Sequence, residues 1–75
     1  NVAVGHEALT ADTLGSKSTA IGYQALLAQT YGTTATDSHN TAVGNEAAKA
    51  VTTGIQNTIM GSTAGQALGD ADYNV

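Results

Sequence analysis

The sequence contains no cysteine, proline, tryptophan or phenylalanine. Without cysteine, no disulfide bond and no thiolate metal ligand can stabilise this chain of 75 residues. Large aliphatic side chains are also scarce, since fourteen Val, Ile, Leu and Met residues stand against fourteen alanines. A chain this short, with so little bulk for a core, needs another source of stability, such as oligomerisation.

Positive charge is scarce as well. Lys17 and Lys49 are the only Lys or Arg residues, and the formal net charge is −4. Because phosphate neutralisation needs clustered cations, we expect no nucleic-acid partner. No apolar run is long enough to predict a membrane span, so we expect no membrane insertion. The chain begins at Asn1 rather than at Met, and we expect it to be a piece of a longer protein.

The abundant residues, Ala, Thr and Gly, recur with a fixed period. A five-residue string, Asn-Val-Ala-Val-Gly in its first copy, begins at Asn1, Ser18, Asn40 and Asn57, and a fifth copy begins at Asn74. The spacings are 17, 22, 17 and 17 residues, so the second unit has 22 − 17 = 5 extra residues. The sequence therefore predicts a single repeat segment over 1–75, with units 1–17, 18–39, 40–56 and 57–73.

The five extra residues are expected within 33–39. Thr-x-Gly stands at the same offset in the first three units, so the second unit keeps the repeat as far as Gly32. We predict that 33–39 is a loop leaving a regular coil. Loops on rigid scaffolds often carry binding residues, which makes Tyr31, Asp37 and His39 candidate receptor contacts. A tolerated insertion without a binding role is the alternative.

Four columns of the repeat alignment have a predicted structural role. The glycine column requires a positive φ or a backbone contact too close for a Cβ. Two alanine columns are expected to line a thin coil, and asparagine amides are expected to hydrogen-bond along the stack. The members are Gly5, Gly22, Gly44 and Gly61; Ala8, Ala25, Ala47 and Ala64; Ala11, Ala28, Ala50 and Ala67; and Asn1, Asn40 and Asn57, with Ser18 in the second unit.

A 17-residue unit can fold in two ways. In the favoured one, each unit is one coil of an all-β, parallel β-solenoid or β-roll, whose narrow interior suits alanine. In the alternative, each unit is a strand followed by a short helix, for example over 6–12 and 45–51. Helices of about seven residues are shorter than the roughly 12–15 needed for marginal independent stability, which favours the solenoid.

The third and fourth residues of each string, such as Ala20 and Ile21, are both apolar. Neighbours on a strand point to opposite faces, so one column lines the interior and the other needs a different cover. A partner chain supplies that cover. We therefore predict a homo-oligomer, with a trimer around a long axis as the expected form.

The phrase Asn-Thr-Ala-Val-Gly-x-x-Ala over 40–47, with its counterpart over 18–26, resembles the repeat of phage tail fibres and related surface fibres. It is also similar to the head repeats of trimeric autotransporter adhesins, which form left-handed parallel β-rolls. The resemblance covers essentially the whole chain. It implies an extracellular, proteolysis-resistant trimeric rod of a virion tail fibre that spaces or presents a tip binding a host glycan or protein. A bacterial surface adhesin is the alternative.

No constellation of residues predicts catalysis, a cofactor or a metal site. Asp37, Ser38 and His39 are the side-chain types of a hydrolase triad, but three neighbours on one loop cannot hold its geometry. Asp70 and Asp72 resemble the start of a calcium loop, which needs glycine where Val75 stands. We therefore expect no enzyme.

Ice binding is an alternative from a different functional class, because threonine columns on a solenoid can perform it. Thr19, Thr41 and Thr58 form one such column, but Val2 and Val75 interrupt it at both ends. A fibre section is accordingly favoured.

Overall fold

The structure is a computed structural model and describes residues 1–12, 14–30 and 35–65. Six short strands lie in these ranges: β1 (Val2–Val4), β2 (Gly15–Ser16), β3 (Thr19–Ile21), β4 (Thr36–Asp37), β5 (Thr41–Val43) and β6 (Thr58–Met60). The described ranges contain no helix. The chain is therefore all-β there, as predicted.

The three-residue strands form one sheet in the order β1-β3-β5-β6, and every pair is parallel. Val2 pairs with Thr19, Thr19 with Thr41, and Thr41 with Thr58. These four residues hold the second position of the string in consecutive units, and β-branched side chains there favour a strand. Equivalent positions of the repeat thus lie side by side, and the predicted parallel strands are confirmed.

Between the strands the chain runs through successive turns. In the first unit Glu7 and Leu9 have φ values of 61° and 55°. The same two positions have positive φ in the later units, at Gln24, Leu26, Glu46, Ala48, Thr63 and Gly65. A right-handed helix has negative φ at every residue, so this alternation excludes one. The strand–helix alternative, with helices over 6–12 and 45–51, is wrong.

The turns of adjacent units are hydrogen-bonded to each other. The Leu9 N–H donates to the Ala25 carbonyl at 3.0 Å, and the Leu26 N–H donates to the Ala47 carbonyl at 3.0 Å. Other N–H groups close local turns, as from Ala8 to the carbonyl of Gly5 at 3.3 Å. Backbone polar groups are therefore satisfied partly within a unit and partly between units, without a helix.

Part of the predicted insertion loop is a strand. Thr36 of β4 pairs with Gly15 of β2 at an offset of 36 − 15 = 21, whereas β5 pairs with β3 at an offset of 22. The register of this second sheet thus differs by one residue from that of the main sheet. Residues 36–37 gain backbone hydrogen-bond partners by pairing with β2. Residues 33–34 lie outside the described ranges.

The core is formed by the third residue of the string in the second, third and fourth units and by the first alanine column, whereas Ala3 in the first unit is exposed. Ala20 and Ala42 are fully buried, and Ile59 is buried in the fourth unit. Ala25 and Ala47 are also fully buried, while Ala8 and Ala64 are half-buried and pack against this cluster.

The second alanine column does not line the core. Ala11 is exposed, Ala28 and Ala50 are half-buried, and Ala67 lies outside the described residues. The position that follows the first alanine is buried instead, and it carries Leu9, Leu26 and Ala48 in the first three units. The conformation of the turns decides which of these residues point inward.

In the fourth unit one core position carries a larger side chain than in the earlier units, and another carries a smaller one. It has Ile59 where Ala20 and Ala42 stand in earlier units, and it has Gly65 where Leu26 stands. A Cβ added to Gly65 would lie 2.7 Å from Cδ1 of Ile59. The isoleucine therefore fills the space that the missing leucine leaves.

Candidate functional site

The glycine column brings the backbones of adjacent units into close contact. Gly5 has φ of 123°, and a Cβ built there would lie 2.7 Å from the Gly22 carbonyl oxygen. A Cβ on Gly22 would meet the Gly44 carbonyl, and one on Gly44 would lie 2.6 Å from the Gly61 carbonyl oxygen. Positive φ is thus present at all four glycines of the column, and the close approach of backbones is present at Gly5, Gly22 and Gly44.

The asparagine side chains of this column form hydrogen bonds both within their own unit and to the next unit. Oδ1 of Asn40 accepts from the N–H of Asn57 at 2.9 Å, and Nδ2 of Asn40 donates to the Gly54 carbonyl at 2.9 Å. Asn1 makes the equivalent bonds, at 2.9 Å to the next unit and at 3.0 Å within its own. An amide-to-amide bond, from Nδ2 of Asn57 to Oδ1 of Asn40 at 3.2 Å, runs along the column.

In the second unit, where serine replaces asparagine, two other side chains take over the role of the amide. Gln29 is fully buried, and its Nε2 donates to Oγ of Ser18 and to Oδ2 of Asp12, both at 3.0 Å. Its Oε1 accepts from Nδ2 of Asn40 at 2.7 Å. The hydroxyl of Ser38 is hydrogen-bonded to that of Ser18. This buried network serves the structure, because every buried side-chain N or O atom in the described residues has a partner.

The insertion contributes an exposed charged cluster on the second sheet. Nζ of Lys17 lies 2.9 Å from Oδ2 of Asp37, and Oγ of Ser16 donates to Oδ1 of Asp37 at 2.8 Å. The hydrogen bond from Lys17, reinforced by that from Ser16, holds the pKa of the Asp37 carboxyl below its ordinary value. His39 is exposed nearby in the chain, with φ of 53°. Asp37 and His39 are thus both at the surface, whereas Tyr31 lies outside the described residues.

Lys17 and Ser16 were not identified from the sequence as neighbours of Asp37. They belong to the preceding unit and reach it because β2 pairs with β4. This pairing is shifted by one residue relative to the main sheet, and the repeat alignment does not indicate that shift.

The main sheet presents an apolar stripe, formed by the fourth residue of each string: Val4, Ile21, Val43 and Met60. Val4 is 56% exposed, Met60 is 68% exposed and Ile21 is also exposed, while Val43 is half-buried. Their third-position neighbours in the second, third and fourth units, Ala20, Ala42 and Ile59, are buried in the core. The column beside the stripe holds Val2, Thr19, Thr41 and Thr58, so no charged side chain lies in the strands of this sheet.

No cluster of three or more His, Asp or Glu side chains able to hold a metal ion occurs in 1–12, 14–30 or 35–65. Asp70, Asp72 and the fifth string at Asn74 lie outside these ranges. Within these same ranges no helix is long and apolar enough to span a membrane. Comparison with known proteins found no matching family model, no matching curated protein and no matching solved structure.

Proposed function

We propose that this chain is a section of a parallel β-solenoid with about 17 residues per coil. We further propose that it is a structural part of a trimeric, extracellular phage tail fibre. Its role is to space or present a tip that binds the host receptor. The apolar stripe is the observation that carries this proposal.

The pairing of the strands supports the solenoid. Consecutive units stack with their strings in register, at offsets of 17, 22 and 17 residues. Both sheets are parallel, and the Asn40 side chain connects the start of its unit with Gly54 near the end of that unit. These contacts support a path in which each unit returns beneath the start of the next, as the coil of a solenoid would.

The stripe supports association of identical chains. Complete burial of a large apolar side chain contributes roughly 1.5–3 kcal/mol, and the exposed parts of Val4, Ile21 and Met60 would each contribute a share of that on association. Since the strands of this sheet carry no charge, like-charge repulsion does not oppose contact between copies. A rotation axis along the stack would bring the stripes of all copies together in a closed assembly. The resemblance to fibre repeats favours three copies.

Two further parts of the proposal rest on sequence resemblance and position. The string Asn-Thr-Ala-Val-Gly over 40–44 is the basis for a tail fibre, with a bacterial adhesin head as the alternative in the same class. Asp37 and His39 are proposed contacts to a host glycan or protein. They lie on or beside the second sheet rather than on the sheet with the stripe.

Measurement of the molar mass in solution tests the proposal. We expect light scattering after size exclusion to give three times the chain mass for the unmodified chain. Ile21→Glu, in the centre of the stripe, should give a folded monomer, because it places a charge in the proposed interface. Thr53→Glu, at an exposed position outside the strands, is the matched control and should remain a trimer. A folded monomer of the unmodified chain would refute the trimer. A separate measurement of thermal hysteresis tests ice binding, and a clear effect would favour that alternative over a fibre section.

A further inference from the structure

Four exposed or half-buried side chains form a second surface cluster, which we call the ring array: His6, Glu7, Tyr23 and Gln24. The rings of His6 and Tyr23 stack with centroids 5.6 Å apart and planes 9° apart. Nε2 of Gln24 donates to Oε1 of Glu7 at 2.7 Å, and the same oxygen lies 3.6 Å from Nε2 of His6. Two adjacent residues of one unit thus contact their two counterparts in the next.

The ring array is accessible and is not explained by core packing. Tyr23 is 45% exposed, and neither it nor His6 belongs to the buried cluster of the core. Within the described ranges, Oε2 of Glu7 makes no hydrogen bond, so this carboxylate keeps accepting capacity. The array therefore offers aromatic surface beside an accessible acceptor.

This combination has the chemistry of a sugar-binding site. The C–H face of a pyranose packs on an aromatic ring, while its hydroxyls need a few polar partners at fixed positions. Stacking on His6 orients the Tyr23 ring, and the hydrogen bond to Gln24 orients the Glu7 carboxylate. Groups that are already ordered lose less conformational entropy when a ligand binds.

We propose that the ring array binds a neutral pyranose, with Tyr23 as the stacking platform and Glu7 as the acceptor for sugar hydroxyls. The Glu7 carboxylate repels acidic sugars, and no Lys or Arg belongs to the array to offset that repulsion. This site is distinct from the insertion contacts at Asp37 and His39. It requires stacked units but no particular number of chains.

Titration of the ¹⁵N-labelled chain, followed by amide chemical shifts, tests the site. The probes are methyl β-D-galactopyranoside, methyl β-D-glucopyranoside and N-acetylglucosamine, with galacturonate as the acidic comparison. We expect at least one neutral probe to give saturable shifts confined to residues 6–7 and 23–24. The Kd should be on the order of millimolar, as expected for a ligand of about a dozen non-hydrogen atoms. Galacturonate should bind at least about tenfold more weakly.

Variants separate the ring array from non-specific binding. Tyr23→Ala should weaken the neutral sugar at least about tenfold, whereas Tyr23→Phe should retain most of the affinity because the ring remains. Ser62→Ala, at the equivalent exposed position two units further along, is the matched control and should bind as the unmodified chain does. Glu7→Gln leaves packing unchanged and should weaken binding. Absence of saturable shifts with all three neutral probes would overturn the proposal, as would equal binding by Tyr23→Ala or by galacturonate.

Discussion

Replacing Gly22 by alanine measures how closely the backbones of adjacent units stack. Its φ of 130° strains any residue with a Cβ, at a cost of about 1–2 kcal/mol. The added Cβ would also meet the carbonyl of Gly44, which is backbone and cannot rotate away. Strands β3 and β5 would have to separate, which costs about 1–3 kcal/mol more. We expect Gly22→Ala to lower the free energy of unfolding by about 2–5 kcal/mol, a large share of a typical 5–15 kcal/mol.

Gly61→Ala is the matched control within the same column. Its φ of 121° imposes similar backbone strain, but the nearest atom to its Cβ is Cβ of Ala64 at 3.6 Å, an ordinary contact. We expect a loss of only about 1–2 kcal/mol, from strain alone. Thermal unfolding followed by circular dichroism, at equal protein concentration, should therefore give Gly22→Ala the lower Tm by at least about 4 °C. Equal Tm values for the two variants would refute the close backbone contact.

Two further predictions concern the fourth unit and the insertion. Gly65→Ala should destabilise the chain because the added Cβ would clash with Ile59, and Ile59→Ala should relieve that clash. A double-mutant cycle should therefore give a coupling of about 1–2 kcal/mol. Additive effects would show that Ile59 does not fill the space beside Gly65. Because its folded pKa is lowered, Asp37 stabilises the fold above its ordinary value of 3.8, and this contribution is lost as pH falls through the folded pKa. Urea unfolding should therefore show Asp37→Asn less stable than the unmodified chain at neutral pH but not in acid, and a gap independent of pH would argue against the pair with Lys17.

The stacking of the strands follows directly from the repeat. Val2, Thr19, Thr41 and Thr58 occupy one column of the alignment, and the main sheet pairs them with one another. The same alignment ends each of the four complete strings on a glycine; all four have positive φ, and Gly5, Gly22 and Gly44 also make a close backbone contact. These features were predictable because they depend only on which residue type recurs at which spacing.

The conformation of the turns was not predictable from the same residues. Good helix formers over 45–51 suggest a helix, yet Glu46 and Ala48 have positive φ and the Ala48 N–H donates to the carbonyl of Ala64. Hydrogen bonds to the next unit override the local helix propensity, which is a weak preference. This outcome also moves the second alanine column out of the core.

Parts of the candidate sites depend on contacts between residues that the alignment treats as unrelated. Gln29 and Ser38 replace a missing amide only because both lie beside Ser18, 11 and 20 residues away along the chain. Lys17 reaches Asp37 only because the insertion pairs as a strand. When a column changes residue type, as from asparagine to Ser18, the alignment shows that a hydrogen-bonding group is lost. The side chains that replace it are identified only from the tertiary structure.

The sequence alone determined the period of the repeat and the presence of two neighbouring apolar columns in each string, and it favoured the all-β class. Each of these depends on the spacing and size of side chains, which are properties of the chain itself. Only the tertiary structure decided which apolar column faces outward, how the insertion re-enters a sheet, and that His6 and Tyr23 stack beside Glu7. Those outcomes depend on packing and hydrogen bonding between units, where the energy of a contact is set by neighbours that are distant in the chain.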